Sequence, residues 1–317
     1  MVKIAVVGGT GNVAKNLLHA PIRSGKHEIT IFTRSGTPSN PIPGLTYQKV
    51  DYQDLPGLTN TLKGFHTCLS FLIAHQDVNN TVQKNLIHAC IAADVRRFAP
   101  SEWALTNNSG VGPYKNKDAL ASYLADLKAK DQLGGLEYCL FQPSVFMDYF
   151  AHPHSLTPGL FTWTFFVDLE NRRAMILDDG EIPVVITAIS DISEVLALAL
   201  DDPRPWPVIG GIQGAKTTSN EILALGKKIR GGEWSVEYVK SEDVQRGELK
   251  TSWVPVFDHP IIPVESREEF SKTFVIEFFV AMGRGAWGVS DEFNKRFPEY
   301  KFTGVEEYLS KAWEGKA

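Results

Sequence analysis

This 317-residue sequence gives little indication of disulfides, membrane-spanning segments or clusters of metal ligands. The three cysteines, Cys68, Cys90 and Cys139, are far apart and lie among apolar residues, so we expect reduced core thiols. Apolar runs stay well short of the roughly 20 residues that a membrane span needs, and the short apolar start meets glycines too early for a secretory signal. We therefore expect a cytoplasmic protein that contacts no membrane and holds no metal.

Positive charge is not concentrated in any part of the chain. The formal net charge is −5, which gives little attraction for nucleic acid. Hydrophobic residues make up 43% and charged residues 22%, as in an ordinary globular protein. We expect a small-molecule partner, no nucleic acid, and a monomer or a homodimer.

Short β-branched runs alternate with longer amphipathic stretches over the first half. This pattern predicts an α/β fold, a Rossmann-type doubly wound parallel sheet with helical crossovers. Several strands show no in/out alternation, which indicates burial on both faces. The predicted strands cover residues 3–7, 28–33, 46–50, 67–72, 97–100 and 137–142; the predicted helices cover 13–24, 55–62, 79–93 and 117–132, the third capped by Asn79 or Asn80.

Proline and aromatic residues become frequent after about residue 150. We predict a Rossmann domain over residues 1–150 and a smaller, interleaved α/β substrate-binding region over 151–317. Residues 191–200 form an amphipathic pattern, so we expect the chain to return partly to the first domain around 180–212. Further strands are predicted at 174–177, 184–187, 206–212 and 234–239, and further helices at 218–229 and 265–282.

A glycine-rich turn follows the first strand and opens the first helix. It reads Gly8-Gly9-Thr10-Gly11-Asn12-Val13-Ala14. A pyrophosphate needs backbone N–H groups and a helix N-terminus without side chains in the way. We expect Gly9 to allow the tight turn and Gly11 to let the chain approach the phosphates. Because the motif has this strand-and-helix context, it predicts a dinucleotide cofactor held by residues 8–13.

The end of the second strand predicts which dinucleotide is bound. An acidic residue there would accept from the ribose 2′-OH of NAD, whereas a cation pairs with the 2′-phosphate of NADP. The sequence has Arg34, with Thr33 and Ser35 as additional hydrogen-bond donors, so we expect NADP(H). Asp51, which ends the third strand, either faces the adenine or caps the helix that follows.

The usual short-chain dehydrogenase motif Tyr-x-x-x-Lys is missing. Tyr114 and Lys117 are one residue too close for it, so another proton carrier must be considered. A lysine near the carboxyl ends of strands four and five would be partly desolvated, and could then titrate nearer neutrality. Lys117 fits that description, although an exposed helix-start lysine is the plain alternative. Glu102 either orients Lys117 or caps a turn.

Together these motifs resemble one family. The Gly-Gly-Thr-Gly turn, Arg34, the segment Arg97-Phe98-Ala99-Pro100-Ser101-Glu102-Trp103 and Lys117 resemble the isoflavone reductase and phenylcoumaran benzylic ether reductase group and the related NmrA-like proteins, which are atypical short-chain dehydrogenases. The resemblance covers the first half well and the second half loosely. It implies that a lysine near the nicotinamide serves in proton transfer. Lys117 matches it by position, and Lys115 competes because the loop 105–113 is shortened.

Loops at the carboxyl edge of the sheet line the ligand crevice of such folds. By resemblance, the segment after strand six would contact nicotinamide and substrate, and its aromatic and thioether side chains could form an apolar slot for a planar or polycyclic substrate. Core packing explains each of these side chains equally well. We assign Leu72, Ile73, Pro100, Ser101, Pro143 and Phe146 to the cofactor, and Trp103, Phe146, Met147, Tyr149, Phe150 and Phe166 to the substrate.

Three functions fit these residues. The first is an NADPH-dependent reductase of an aromatic or polycyclic secondary metabolite, with Lys117 as proton carrier. The second keeps the cofactor bound but catalyses an isomerisation or rearrangement with Lys117 and Glu102 as acid and base, without net redox change. The third is a non-catalytic, NmrA-like regulator that senses NADP, against which the retained lysine argues.

Overall fold

The computed structural model describes residues 1–316, and six parallel strands form its central sheet. These strands are β1 (Lys3–Val7), β2 (Glu28–Thr33), β3 (Thr46–Lys49), β4 (Thr67–Ser70), β5 (Arg97–Ala99) and β6 (Glu137–Tyr138). The order across the sheet is β3-β2-β1-β4-β5-β6, and every neighbouring pair is parallel. The strand order reverses between β1 and β4, where doubly wound sheets bind their ligands. The predicted Rossmann-type fold is confirmed.

The first helix of the sheet's crossovers is divided in two. The crossover helices are α1 (Asn12–Leu17), α2 (His19–Ser24), α3 (Leu55–Leu62), α4 (Thr81–Ala92) and α5 (Lys115–Ala129). The single helix expected over 13–24 is therefore wrong. Pro21 has no N–H to donate to the carbonyl of Leu17, which instead accepts a hydrogen bond from the Ser193 hydroxyl at 3.0 Å.

The cap of α4 also differs from the expectation. Asn79 and Asn80 both have φ of 56° and their side chains do not cap the helix. The buried carboxylate of Asp77 does so, accepting from the N–H groups of Val82 at 2.9 Å and Gln83 at 3.0 Å. An aspartate three residues before the expected cap can perform this role because a short 3₁₀ turn brings it back to the helix N-terminus.

The remaining elements belong to smaller sheets and to helices that cover them. The strands are β7 (Leu140–Gln142), β8 (Val145–Phe146), β9 (Val167–Asp168), β10 (Arg173–Leu177), β11 (Val184–Thr187), β12 (Ile209–Gly211), β13 (Ala215–Thr217) and β14 (Ser235–Val239). The helices are α6 (Ile189–Asp201), α7 (Ser219–Arg230), α8 (Ser241–Gln245), α9 (Arg267–Gly283), α10 (Glu292–Arg296) and α11 (Val305–Trp313). Two three-stranded sheets result, β14-β10-β9 and β13-β11-β8.

The single strand expected over 137–142 is wrong, because the chain changes partner at Cys139. The Cys139 N–H donates to Phe98 in β5 at 3.1 Å, whereas the Leu140 N–H donates to Val208 at 2.8 Å. β5 ends at Ala99 since Pro100 cannot donate. β7 then pairs in parallel with β12, so the strand expected over 206–212 is shorter than predicted and extends the first domain.

The second half returns to the first domain through α6, which packs on α1 and α2. The N–H of Ala20 donates to the Ser193 hydroxyl at 2.9 Å across this contact. One core lies on each face of the central sheet, and a third, rich in phenylalanine and tryptophan, fills the second half. As far as residue 316, none of the helices is long and apolar enough to cross a membrane.

Candidate active site

The glycine turn lies tightly against the end of β4. Gly8 has φ of +73°, and a Cβ there would be 2.8 Å from the carbonyl carbon and oxygen of Phe71. Gly8 is therefore the left-handed residue of the turn, rather than Gly9, whose absent side chain leaves room for Ile31. The Gly11 N–H donates to the Gly8 carbonyl at 3.0 Å and closes the turn before α1.

The other residues of the turn divide between solvent and a distant loop. Thr10 is exposed and Val13 is half-buried. The Asn12 side chain accepts from the Phe161 N–H at 2.7 Å and donates to the carbonyl of Gly159. Its side-chain amide is therefore bonded to a segment of the second half of the chain, while its backbone remains available to a cofactor.

Arg34, the cation expected at the carboxyl end of β2, is accessible to a ligand. Arg34 and Ser35 are exposed. The Thr33 hydroxyl instead donates to the Gly36 carbonyl at 2.8 Å, so it shapes the loop. Lys49, which pairs with Thr33 in the register of β2 and β3, is exposed at the same edge and was missed because no motif marks it.

Asp51 caps neither the helix nor any other element. Its carboxylate accepts from the Gln53 N–H at 2.9 Å, within the turn after β3. Asp54 caps α3 by accepting from the Gly57 N–H at 3.0 Å. The helix-cap alternative for Asp51 is therefore wrong, and its side chain is exposed at this edge of the sheet.

Lys117 lies in the first turn of α5, which begins two residues earlier than expected. Its half-buried Nζ donates to the backbone carbonyl of Glu102 and lies 4.4 Å from the centre of the Tyr114 ring. Burial lowers its pKa to about 8, although the acidic neighbours Glu102 and Asp118 oppose this shift. Lys115 is exposed, so the geometry favours Lys117 as the functional lysine.

Glu102 is almost completely buried, with 1% of its surface exposed. Burial raises the pKa of its carboxyl group, while the nearby Lys117 charge and the Asn107 amide partly offset that shift. The Asn107 amide donates to Oε2 at 3.1 Å, whereas Oε1 has no hydrogen-bond partner within residues 1–316. Glu102 therefore holds the lysine through its backbone and presents a buried carboxyl group beside it.

Asparagines that the sequence did not single out hold this region together. The Asn116 amide donates to the carbonyls of Ala74 at 2.8 Å and Asp77 at 3.0 Å, on either side of His75. The Asn80 amide donates to the Asn116 carbonyl at 2.7 Å. Burial and the Lys117 charge both lower the pKa of His75, which places this ring near the lysine. These contacts join residues about 40 positions apart, and no local pattern announces them.

The loops after β4 and β5 contact the start of α5, through the Ala74 and Glu102 carbonyls that accept from Asn116 and Lys117. Leu72 is half-buried and Ile73 is 46% exposed, at the mouth of the site. The Ser101 hydroxyl donates to the Leu72 carbonyl at 2.6 Å, so this side chain fixes the loops rather than awaiting a ligand. Pro100 and Pro143 are buried.

Three of the expected substrate residues line a small apolar cavity of about 50 Å³. They are Trp103, Phe146 and Tyr149. Tyr114, whose ring contacts the Lys117 ammonium, lines the same cavity. Trp103 also stacks between Phe71 and Phe141, and is 6% exposed. The other three do not line this cavity and lie in the core: Met147, Phe150 and Phe166 are 0%, 1% and 4% exposed.

The rest of the cavity wall comes from residues far along the chain. Trp163 packs on Tyr149, with ring centres 4.1 Å apart, and Phe278 of α9 lies opposite Tyr114 at 6.2 Å. Within residues 1–316, the Tyr114 and Tyr149 hydroxyls have no hydrogen-bond partner. Burial raises the pKa of both hydroxyls, so each remains a donor.

Comparison with known proteins gives consistent matches along the whole chain. The model of the NmrA-like family matches residues 2–309. Phenylcoumaran benzylic ether reductase Betv6 from Betula pendula is 27% identical over 325 residues, which covers 97% of each chain. Isoflavone reductase homolog IRL from Zea mays is also 27% identical over 325 residues, covering 98% of this chain and 97% of its own.

A solved structure, AtPrR2 with NADP⁺ and (+)pinoresinol, is similar in fold. Its TM-score is 0.67 at 19% sequence identity, and the match covers 98% of both chains.

Proposed function

The chain belongs to the NmrA-like family, and on that basis we propose that it is an NADPH-dependent reductase of an aromatic or polycyclic small molecule. The family match supports the resemblance drawn from the motifs, and the relatives named above are reductases by name. In this function the glycine turn and Arg34 bind the cofactor, and Lys117 takes part in proton transfer.

The residues present fit the dinucleotide. A side chain at Gly8 would meet the backbone of Phe71, so the turn offers bare backbone at the sheet's switch point. The exposed Arg34 guanidinium at the end of β2 suits the bidentate recognition of a phosphate. Lys49 adds a second exposed cation at this edge.

When bound, NADPH supplies the hydride. Lys117 supplies the proton. Burial lowers the pKa of its Nζ to about 8, so the group is mostly charged at neutral pH and can still give up its proton. The Nζ proton passes to the substrate atom that gains negative charge, and solvent then restores the charge of the lysine. The Glu102 carbonyl fixes the Nζ position during this transfer.

The position of Lys117 is the observation that carries the proposal. A half-buried ammonium lies against the Tyr114 ring, and that ring lines the aromatic cavity. An exposed helix-start lysine would have neither this contact nor this pKa.

The two tyrosine hydroxyls support a substrate with an acceptor oxygen. Tyr114 and Tyr149 are half-buried hydroxyl donors in an otherwise apolar wall, and an acceptor oxygen of a bound ligand could receive their hydrogen bonds. An aromatic ring beside a carbonyl, quinone or ether oxygen meets both needs.

A second function is favoured by Glu102. Its buried carboxyl group has a raised pKa and one oxygen without a partner within residues 1–316, so it and Lys117 could serve as an acid and a base. An isomerisation would then form product while NADPH stays unchanged.

We also propose that the protein works in the cytoplasm, as a monomer or a homodimer. Its three cysteines are buried and free, as suits a reducing compartment.

The proposal is tested by mixing the protein with NADPH and a panel of aromatic enones, quinones and benzylic ethers, while the nicotinamide absorbance and the products are followed. We expect NADPH consumption with at least one compound, and its loss in Lys117→Met but not in Lys115→Met. Product formation at constant NADPH would instead support the isomerase, and no reaction with any compound despite bound NADPH would contradict both.

A further inference from the structure

The glycine turn is tied to the substrate-binding region by one side chain. We call residues 155–163 the strap; the Asn12 amide accepts from its Phe161 N–H at 2.7 Å and donates to its Gly159 carbonyl. The backbone of residues 159–161 is not paired with a strand. The Asn12 side chain supplies the backbone hydrogen bonds that a neighbouring strand would otherwise provide. Within residues 1–316, no other hydrogen bond joins the strap to the first 140 residues.

The start of the strap is fixed by a different group. The fully buried Asp148 carboxylate accepts from the Ser155 hydroxyl at 3.1 Å, from the Thr157 hydroxyl and from the Tyr308 hydroxyl at 2.6 Å. Its other oxygen accepts from the Ile189 N–H at 3.0 Å. The strap therefore begins at a fixed point. Its second half is held by Asn12, by a hydrogen bond between Thr162 and His152 at 3.0 Å and by aromatic packing of Trp163.

That second half supplies part of the cavity wall through Trp163. Phe161 packs edge-on against His259 at 4.5 Å, and Trp163 packs on Tyr149 at 4.1 Å. The cavity measures about 50 Å³, whereas a dry cavity that holds benzene measures roughly 150 Å³. An aromatic substrate can enter only if this wall moves.

We propose that Asn12 is a positioning residue that couples cofactor binding to the aromatic wall. The proposal rests on the proposed function, since it requires a dinucleotide on the glycine turn. A cofactor that fixes the backbone of residues 8–13 also fixes Asn12, and Asn12 then fixes the Gly159 to Trp163 part of the strap. By linkage, a substrate that holds the strap in place strengthens cofactor binding by the same factor.

Amide hydrogen exchange of the full chain, with and without saturating NADP⁺, tests this coupling. NADP⁺ should slow exchange both in the turn 8–13 and in residues 159–163, the latter by roughly fivefold or more, the low end of typical coupling between sites. In Asn12→Ala the turn should still respond, whereas residues 159–163 should not. Asn12→Asp keeps an acceptor for the Phe161 N–H and should restore part of the response.

Asn16→Ala is the matched control, because the Asn16 amide donates at 3.0 Å to the Asn12 carbonyl within α1 and does not reach the strap. It should respond as the wild type does. Protection of the turn without any change at 159–163 in the wild type, or an equal response in Asn12→Ala, overturns the coupling alone. If NADP⁺ protects neither segment and gives no calorimetric binding, the proposed function fails as well. If Asn12→Ala does not fold, Asn12→Asp decides: an undiminished response there contradicts the proposal.

Discussion

The Lys117 ammonium lies 4.4 Å from the centre of the Tyr114 ring, so the cation meets the face of the ring rather than its hydroxyl. Tyr114 precedes α5 and Lys117 lies in its first turn. Burial lowers the pKa of the lysine, whereas it raises the pKa of Tyr114 and keeps the tyrosine hydroxyl a donor.

Reductase turnover should depend on the charged form of Lys117. Since the acid form is required and its pKa is about 8, kcat should be constant below that pH and fall as the pH rises through it. Lys117→Met should lower kcat by roughly 10²- to 10⁴-fold, the usual contribution of a general acid. The exposed Lys115→Met is the control, and an unchanged kcat in Lys117→Met would contradict the assignment.

The charge of Glu102 should set the pH at which kcat falls. Its carboxylate raises the pKa of Lys117, so Glu102→Gln should move the fall in kcat to lower pH. Asp118 has the weaker influence of the two acids, and Asp118→Asn should give a smaller move in the same direction. Profiles of kcat against pH measure both effects. If kcat of Glu102→Gln falls at the same pH as in the wild type, the Glu102 carboxyl group is neutral over the whole measured pH range.

The two free hydroxyls should govern substrate affinity. Tyr114→Phe and Tyr149→Phe each remove a donor and keep the ring, so KM for an oxygen-bearing substrate should rise by about tenfold, as for one hydrogen bond of ~1.4 kcal/mol. Phe150→Leu, in the core behind them, should instead lower the free energy of unfolding. A KM that is unchanged in both tyrosine variants would exclude their proposed role.

Arg34 should discriminate between the two nicotinamide cofactors. Arg34→Ala should weaken NADPH binding by about 10- to 100-fold, since hydrogen bonds to charged groups contribute roughly 1.5–3 kcal/mol. NADH binding should change little. Lys128→Ala, an exposed cation on α5, is the control for a general loss of charge. Calorimetric titration measures all of these affinities, and equal losses for NADPH and NADH would contradict a contact with the 2′-phosphate.

Gly8 and Gly25 form a matched pair for testing the tight turn. Both have positive φ, +73° and +61°, but only at Gly8 would a Cβ meet backbone, 2.8 Å from Phe71. Gly25→Ala should cost the ordinary ~1 kcal/mol of left-handed strain, and Gly8→Ala should cost clearly more, with loss of cofactor binding. Chemical unfolding and calorimetry check this; equal costs would mean that the turn does not need the close approach.

Features encoded by neighbouring residues could be predicted from the sequence. The order of strands and helices, the glycine turn and the lysine at the start of α5 all follow local patterns of burial or spacing. The errors arose where a distant group decides the local structure. Pro21 divides the first helix because Ser193 takes over the Leu17 carbonyl, and the strand after residue 136 changes partner at Cys139 because Pro100 ends β5.

The substrate residues show the same limit within one segment. Phe146, Tyr149 and their neighbours form an aromatic run in which the cavity-lining and core-facing side chains look alike. The 3₁₀ turn at Met147–Ala151 directs Tyr149 to the cavity and Met147 and Phe150 to the core. The side-chain contacts of Asn12 and Asn116 join positions 39 to 149 residues apart, which the sequence does not reveal.

Calorimetric titration of the full chain with NADPH and, separately, with NADH tests the central claim most directly. The account predicts that NADPH binds at least about tenfold more tightly than NADH, because the Arg34 guanidinium pairs with the 2′-phosphate that NADH lacks. Equal affinity for both, tighter binding of NADH, or no binding of either would contradict it.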